Sequence, residues 1–309
     1  MVKIVTQNVF NVIYFITVNY YSSVLITQLI NSLPGAVDLN YKLLIINNSP
    51  DDKSIENLAC QNILIIDAGC NLGFGSACNL GLKWIYTQDT NALVWIINPD
   101  AYFAEKSKFD IKAFFTLYPE ISILGTIIHT PCNEVWFAGG RFLKKTGSLK
   151  SIDLITNCDA DYVECDWVSG CSLIIQFRNF SECPLFDSEY FLYYEDFDFC
   201  KRYSQKGYKV AVTKIFSVIH QPSSITNRYT RKKIFYSTYS YLITLQRYTN
   251  TLVFTLRLIR LISFAIIFIV IKPKIAIGKI QAVFTYWRDH SQLNVQENTL
   301  LKYLKKQIN

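Results

Sequence analysis

The sequence predicts an α/β protein built on a mostly parallel sheet with crossover helices, and two observations carry that expectation. Between residues 12 and 100, short apolar runs of strand length alternate with amphipathic stretches of helical spacing. Polar residues collect just beyond each apolar run, where open α/β sheets bind ligands. The charge is also divided. Residues 1–200 hold 12 Lys and Arg against 22 Asp and Glu, whereas residues 201–309 hold 19 against 2. An acidic front and a basic rear imply different partners.

The elements follow in order. Ile13–Val18 reads as a first strand, closed by Asn19-Tyr20-Tyr21-Ser22-Ser23, which can start a helix running to Leu33 before Pro34-Gly35. Leu43–Ile46 is a second strand ending in Asn47-Asn48-Ser49-Pro50. Ile63–Ile66 is a third, entering Asp67-Ala68-Gly69-Cys70-Asn71-Leu72-Gly73-Phe74-Gly75. A helix over about Ser76–Tyr86 precedes the strand Leu93–Ile97, which runs into Asn98-Pro99-Asp100. After residue 120 the pattern loosens into shorter, mixed strands, and Phe216–Ile219 ends at His220.

Leu252–Ile271 is a twenty-residue apolar stretch broken only by Thr255, Arg257, Arg260 and Ser263. That length could span a bilayer, but two arginines in its first half oppose spanning. Their i, i+3 spacing puts both on one face, so a helix in the headgroup layer of an anionic membrane fits better, aided by Lys272, Lys274 and Lys279. A buried helix packed on the main domain is the competing reading. The basic residues are interleaved with aliphatics and form no nucleic-acid-binding motif, so nucleic acid is not expected as a partner. Nine cysteines without a CxxC pair read as reduced, mostly buried thiols of a cytosolic protein. The N-terminal run has one Lys and is interrupted by Asn8, Asn11 and Asn19, which does not match a secretory leader.

The strongest chemical signal lies at FLYYEDFDFCKR, residues 191–202. Glu189, Glu195, Asp196 and Asp198 fall within ten positions, among seven aromatics between Phe186 and Phe199. Carboxylates in so apolar a setting cost several kcal/mol unless paired, hydrogen-bonded or bound to a metal. Such a setting suits a carboxylate of tuned pKa. Glu189 and Asp198 are expected to be structural, as a cap or as partners of Lys201 or Arg202. Elsewhere, Gly73 and Gly75 allow close backbone approach, and the following helix offers N–H groups to an anion or simply follows a tight turn. Asp100 beyond Pro99 could hold a hard divalent cation or close an ordinary turn. His220 is a metal ligand or a structural histidine.

Taken together, Asn47-Asn48-Ser49, NLGFGSACNLG, INPD, DWVSGCSLII, PLFDSEYFLYYEDFDFCKRYSQKGY and His220 occur in an order that resembles the family 2 glycosyltransferases. Within that family the chain resembles the bacterial rhamnosyltransferase-type enzymes that build O-antigen and related polysaccharides. The resemblance covers about residues 12–225. It implies a GT-A fold, a Rossmann-like nucleotide-binding half continuous with a mixed-sheet acceptor half, over residues 1–235. Residues 236–309 would then form the helical, basic, membrane-associating region.

The resemblance also implies roles. Val18, Tyr20 and Asn48 would hold nucleobase and ribose, with Asp67 lining the same pocket. Asn71, Gly73, Phe74 and Asn79 would lie beside the nucleotide-sugar. Asn98 and Asp100 stand at the two acids of the metal-binding DxD motif, with His220 completing the site for Mg²⁺ or Mn²⁺. Asp196 would be the catalytic base with Glu195 as its tuning partner, the like charges of Glu195 and Asp198 and partial burial all raising its pKa. Trp136, Trp167, Ser169 and Gly170 would wall the donor sugar and acceptor. Two positions depart from the pattern: Asn98 replaces the first acid of DxD, and Asn47 stands where Asp is usual. The implied reaction is inverting transfer of L-rhamnose from dTDP-L-rhamnose to a polyprenyl-diphosphate-linked saccharide at the cytoplasmic membrane face. A UDP donor of galactofuranose, N-acetylglucosamine or glucose, an inactive glycan-binding relative, and a homo-oligomer all stay open.

Overall fold

The computed structural model describes residues 12–33, 40–104, 110–221 and 230–308, with side chains to residue 290. Asn8, Asn11, the Pro34-Gly35 stop and Pro222-Ser223-Ser224 lie outside the described residues. The chain forms two compact units, residues 1–143 with 148–225 and residues 144–147 with 226–309.

The first unit opens with β1 (Ile13–Asn19), α1 (Ser23–Ser32), β2 (Tyr41–Asn47), β3 (Ile63–Asp67), α2 (Phe74–Gln88) and β4 (Leu93–Ile97). β1 pairs in parallel with β2 and β4, and β2 with β3. Every residue of β1 and β4 is buried, the pattern of parallel strands covered on both faces. Their uninterrupted Ile, Val, Phe and Trp runs are the sequence form of that burial. Because the strands run in parallel, Asn19, Asn47 and Asp67 stand in register at one sheet edge.

Then follow β5 (Ala101–Tyr102), α3 (Ile111–Leu117), β6 (Ile121–His129), β7 (Val135–Phe137), β8 (Gly140–Leu143), β9 (Ser148–Ser151), β10 (Tyr162–Glu164), β11 (Ser172–Gln176), α4 (Glu195–Gln205) and β12 (Lys209–His220). The main sheet runs β10-β12-β6-β11-β4-β1-β2-β3. β11 lies antiparallel between β4 and β6 and so joins the parallel nucleotide-type half to the mixed half in one sheet. Ser172 fixes this seam by accepting from buried Trp95 Nε1 at 2.9 Å and from Thr126 Oγ1 at 2.8 Å. Two boundaries differ from the sequence reading: α2 begins at Phe74, and the strand ending at His220 starts at Lys209.

The second unit is helical: α5 (Thr230–Tyr248), α6 (Thr251–Ile271) and α7 (Pro273–Ile308). Asn250 caps α6, its Oδ1 accepting from Val253 N at 2.9 Å, and Pro273 opens α7 where a missing N–H costs nothing. Of the 21 residues of α6 only Leu261 and Ala265 are buried. The helix is long and apolar enough to cross a membrane by length and composition. Arg257 is turned inward, donating from Nε to the Thr146 carbonyl at 2.5 Å. On α7, Ile277, Ile280, Phe284 and Trp287 are exposed at spacings that place them along one face.

Candidate active site

The strand ends of the first unit carry a chain of buried amides. Ser22 N donates to Asn19 Oδ1 at 3.0 Å, Asn19 Nδ2 donates to Asn47 Oδ1 at 3.1 Å, and Asn47 Nδ2 donates to Asp67 Oδ1 at 2.7 Å. Asp52 joins through its Oδ2, 3.0 Å from Asn19 Nδ2. Asn19 and Asp52 escaped the sequence reading of the site. Their signal is nevertheless present, because Asn19 ends an apolar strand just as Asn47 and Asp67 do.

The neighbouring loop is held by Asn48. Its Oδ1 accepts from Leu72 N at 2.8 Å, and its Nδ2 donates to Asn71 Oδ1 at 3.0 Å and to the Gly73 carbonyl at 3.2 Å. Asn79 likewise spends its amide on the protein, pairing with Phe186 N at 2.8 Å and with the Phe186 carbonyl at 2.9 Å. Both therefore act as clamps on the loops around the site. Val18 is buried in β1, Tyr20 is half-buried, and Asp67 and Asn71 are exposed at the loop surface.

Gly73 has φ +81°, and a Cβ there would lie 2.0 Å from the Phe191 carbonyl oxygen. A Cβ on Gly75 would meet Phe186 Cβ at 2.9 Å. The first N–H of α2, at Phe74, donates to the Phe191 carbonyl at 3.0 Å. The close approach these glycines permit is that of the protein's own 186–195 segment, and the Phe74 N–H is used by it rather than offered to an anion.

That segment then turns sharply into α4. Tyr193 and Tyr194 both lie in the left-handed region, with φ 69° and 67°, a conformation that costs bulky residues on the order of 1–3 kcal/mol each. The turn delivers three acids into the first turn of α4, and each meets a different environment. Asp198 is fully buried and paired with Arg202 Nε at 2.6 Å, one helical turn on. Asp196 is half-buried, its Oδ2 accepting from Gly170 N at 3.0 Å and its Oδ1 from Phe197 N at 2.8 Å. Glu195 points beneath the helix toward α2, its Cβ 3.5 Å from the position a Gly75 Cβ would take. Its Oε2 has no hydrogen-bond partner among the described residues.

Burial, with the Asp196 charge adding to it, pushes the Glu195 carboxyl up to about 8. Burial also raises the Asp196 pKa, against the pull of the Gly170 and Phe197 N–H groups. The expectation that Glu195 and Asp198 raise it by like-charge repulsion is corrected here. Glu195 is protonated near neutral pH, and the Asp198 charge is matched by Arg202. Burial is the first cause of the rise for both acids, and the repulsion between Glu195 and Asp196 is felt when the second of the pair ionises.

The second acidic centre lies where β5 and β12 meet. Asp100 Oδ1 stands 3.2 Å from His220 Nε2, both side chains are buried, and the Trp136 ring lies 4.7 Å from the imidazole. Asn98 is half-buried, with its N–H donating to the Cys171 carbonyl at 3.0 Å. Among the described residues no group of three or more His, Cys, Asp and Glu side chains converges. Trp167 packs on Phe137 at 4.9 Å, and its Nε1 is buried without a hydrogen-bond partner among the described residues. Ser169 is buried in the turn that leads to β11, and its Oγ accepts from Cys171 N at 3.3 Å. Gly170 lets the Phe74 ring and Asp196 close on one backbone position, with Phe74 Cε1 3.1 Å and Asp196 Cβ 3.4 Å from where a Cβ would be.

Cys171 ties the two acidic centres together. Its thiol pKa is raised well above the ordinary value, first by burial and then by the charges of both Asp100 and Asp196. The two acids, ninety-six positions apart in the chain, are brought together by one turn: Gly170 N donates to Asp196 Oδ2 at 3.0 Å, and the Cys171 carbonyl accepts at 3.0 Å from Asn98 N, two residues before Asp100. A lone cysteine after Ser169-Gly170 gave no hint of this in the sequence.

No family model matches the chain. The low-salt glycan biosynthesis hexosyltransferase Agl10 of Haloferax volcanii is 23% identical over 70% of this chain and 69% of its own length. The N-acetylglucosaminyl-diphospho-decaprenol L-rhamnosyltransferase of Mycobacterium tuberculosis is 22% identical, over 69% and 77%. Among solved structures, the mannosyltransferase PcManGT of Pyrobaculum calidifontis, in complex with GDP-Man and Mn²⁺, superposes with a TM-score of 0.52. It is 10% identical, over 90% of this chain and 87% of that one. GalNAc-T7, solved with UDP, GalNAc and Mn²⁺, gives a TM-score of 0.55 at 12% identity. This match takes in 78% of this chain but only 48% of that longer one. With its parallel half joined through β11 to a mixed half, and with these relatives, the chain is a glycosyltransferase of the GT-A fold.

Proposed function

We propose that the chain transfers L-rhamnose from dTDP-L-rhamnose, with inversion, to a saccharide carried on a polyprenyl diphosphate. The observation that carries the reading is that the Gly170-Cys171 turn adjoins two acidic centres of unlike chemistry: Asp196, held by Gly170 N, and Asp100 with His220, two residues beyond the Asn98 N–H that donates to the Cys171 carbonyl. The L-rhamnosyl group and the lipid-diphosphate-linked saccharide acceptor are those in the name of the mycobacterial relative. A UDP donor of galactofuranose, N-acetylglucosamine or glucose is the second reading, since the exposed Asp67 carboxylate suits uracil as well as thymine.

Asp196 is the base. The Gly170 and Phe197 N–H groups hold it ionised and oriented, while burial keeps it more basic than an ordinary carboxylate. It takes the proton of the acceptor hydroxyl as that oxygen bonds to the anomeric carbon. The bond from that carbon to the diphosphate oxygen breaks on the opposite face, and its electron pair leaves with the nucleotide. Asp100 Oδ1 and His220 Nε2, both buried and 3.2 Å apart, fit a cation that draws its remaining ligands from diphosphate and water. Bound there, Mg²⁺ or Mn²⁺ would offset the charge that develops on the leaving diphosphate. Trp136, beside His220, and Trp167 form apolar walls that keep water away from the reacting carbon.

We propose that the helical unit associates as a peripheral element with the cytoplasmic face of the membrane. The exposed apolar surface of α6 and the flanking Lys272 and Lys274 support a helix in the headgroup layer. The test is a transfer assay with dTDP-rhamnose and UDP- and GDP-sugars on a polyprenyl-diphosphate-N-acetylglucosamine acceptor. Transfer that requires a divalent cation and is fastest with dTDP-rhamnose is expected. A UDP-sugar preference would replace the donor, and no transfer from any donor would remove the reading.

A further inference from the structure

The orientation of the buried amides at the strand ends is settled by backbone donors. Ser22 N can only donate, so the Asn19 atom 3.0 Å away is its oxygen, and the Asn19 NH₂ must face Asn47 and Asp52. The Asn47 atom facing Asn19 is therefore also an oxygen, and it receives Ser49 N at 3.3 Å as well. This leaves the Asn47 NH₂ pointing at Asp67 Oδ1, 2.7 Å away. No rotation of either amide satisfies the same donors.

Asn47 is buried and Asp67 exposed, so an immobile donor pins one oxygen of a surface carboxylate at the carboxyl end of β3. We infer that Asn47 is a positioning residue for Asp67, and that the pinned carboxylate is the element that reads the nucleobase. This rests on the nucleotide-sugar reading above and goes beyond it. With Oδ1 held by Asn47, Oδ2 is left to accept a hydrogen bond from a ligand. An ionised carboxylate only accepts, so it pairs with the N3–H of uracil or thymine and is repelled by the bare N3 of cytosine. A carboxylate at position 47 would face Asp67 at the same 2.7 Å without a proton between them, which accounts for an amide at this position.

The experiment is calorimetric binding of UDP, dTDP and CDP to the full chain and to four variants, Asp67→Asn, Asn47→Ala, Asn47→Asp and the double variant Asn47→Ala with Asp67→Asn. Hydrogen bonds to charged groups imply that Asp67→Asn weakens UDP and dTDP by roughly 10-fold or more and narrows their advantage over CDP. Asn47→Ala is expected to weaken both by less, and to add nothing in the double variant, because its effect acts through Asp67. Asn47→Asp, which keeps the side-chain volume, is expected to lose uridine and thymidine selectivity. Unchanged UDP-to-CDP selectivity in Asp67→Asn would overturn the base-reading role. Additive losses in the double variant, or wild-type binding by a folded Asn47→Asp, would overturn the positioning role. A wild-type chain that binds none of the three nucleotides would instead sink the nucleotide reading on which both rest.

Discussion

Helices α2 and α6 use apolar residues in opposite ways. α2 is interrupted by Gly75, Gly81, Asn79 and Lys83, yet it buries Ala77, Cys78, Leu82 and Ile85 against the sheet. α6 is far more apolar and buries only Leu261 and Ala265. Charges show the same inversion. In the sheet unit, acids are drawn inward and matched, Asp198 by Arg202, Asp196 by two N–H groups and Asp100 by His220. In the helical unit, Arg260, Lys272 and Lys274 surround apolar side chains that face outward. The difference teaches that hydrophobicity alone does not say where a helix goes. α2 is covered by its own unit, whereas α6 leaves most of its apolar surface exposed.

The sharpest way to break this contrast is in the sheet unit. Asp198→Ala leaves Arg202 facing a cavity in a buried site and is expected to cost about 3–5 kcal/mol, read as a lower denaturant midpoint. Glu195→Gln tests the buried neutral acid. The folded state holds the Glu195 proton up to about pH 8, while the unfolded chain releases it near 4.5. Stability from this group is therefore present in full at low pH and is lost as pH rises from about 4.5 through 8. Wild type should lose on the order of 1–3 kcal/mol more than Glu195→Gln between pH 5 and 9, read from paired unfolding curves at each pH. A pH-independent difference between the two proteins would contradict the assignment. In the helical unit, Val270→Glu is expected to change folding stability by no more than about 0.5 kcal/mol, because Val270 is 89% exposed. The same change should release the protein from anionic vesicles. Large destabilisation would mean that α6 is covered by protein, and undiminished sedimentation with vesicles would mean that it does not face lipid.

Much of the fold was legible because its signals are local. The apolar runs at Ile13, Leu43, Ile63 and Leu93 announce strands, and their polar ends announce one ligand edge. The apolar stretch of α6 was equally plain. What stayed hidden depends on partners remote in sequence. Whether Gly73 and Gly75 serve an anion or a tight turn could not be told from the sequence, because Phe186 and Phe191, which pack on them, lie more than a hundred residues away. For Asn48 and Asn79 the resemblance implies places beside the nucleotide-sugar, and the structure adds that their amides bond to loop backbone. Glu195 and Asp196 are adjacent in sequence but point to different sides of the first turn of α4. Only three-dimensional burial separates a neutral acid from a base.

The central claim is that Asp196 is the group that accepts the proton. The most direct measurement is the single-turnover rate of sugar transfer by Asp196→Asn at saturating donor, alongside its affinity for the nucleotide. The amide keeps the side chain's shape but cannot accept the proton. A fall of roughly 10²–10⁴-fold in rate with nucleotide affinity unchanged is expected. Transfer within a few-fold of wild type would contradict it.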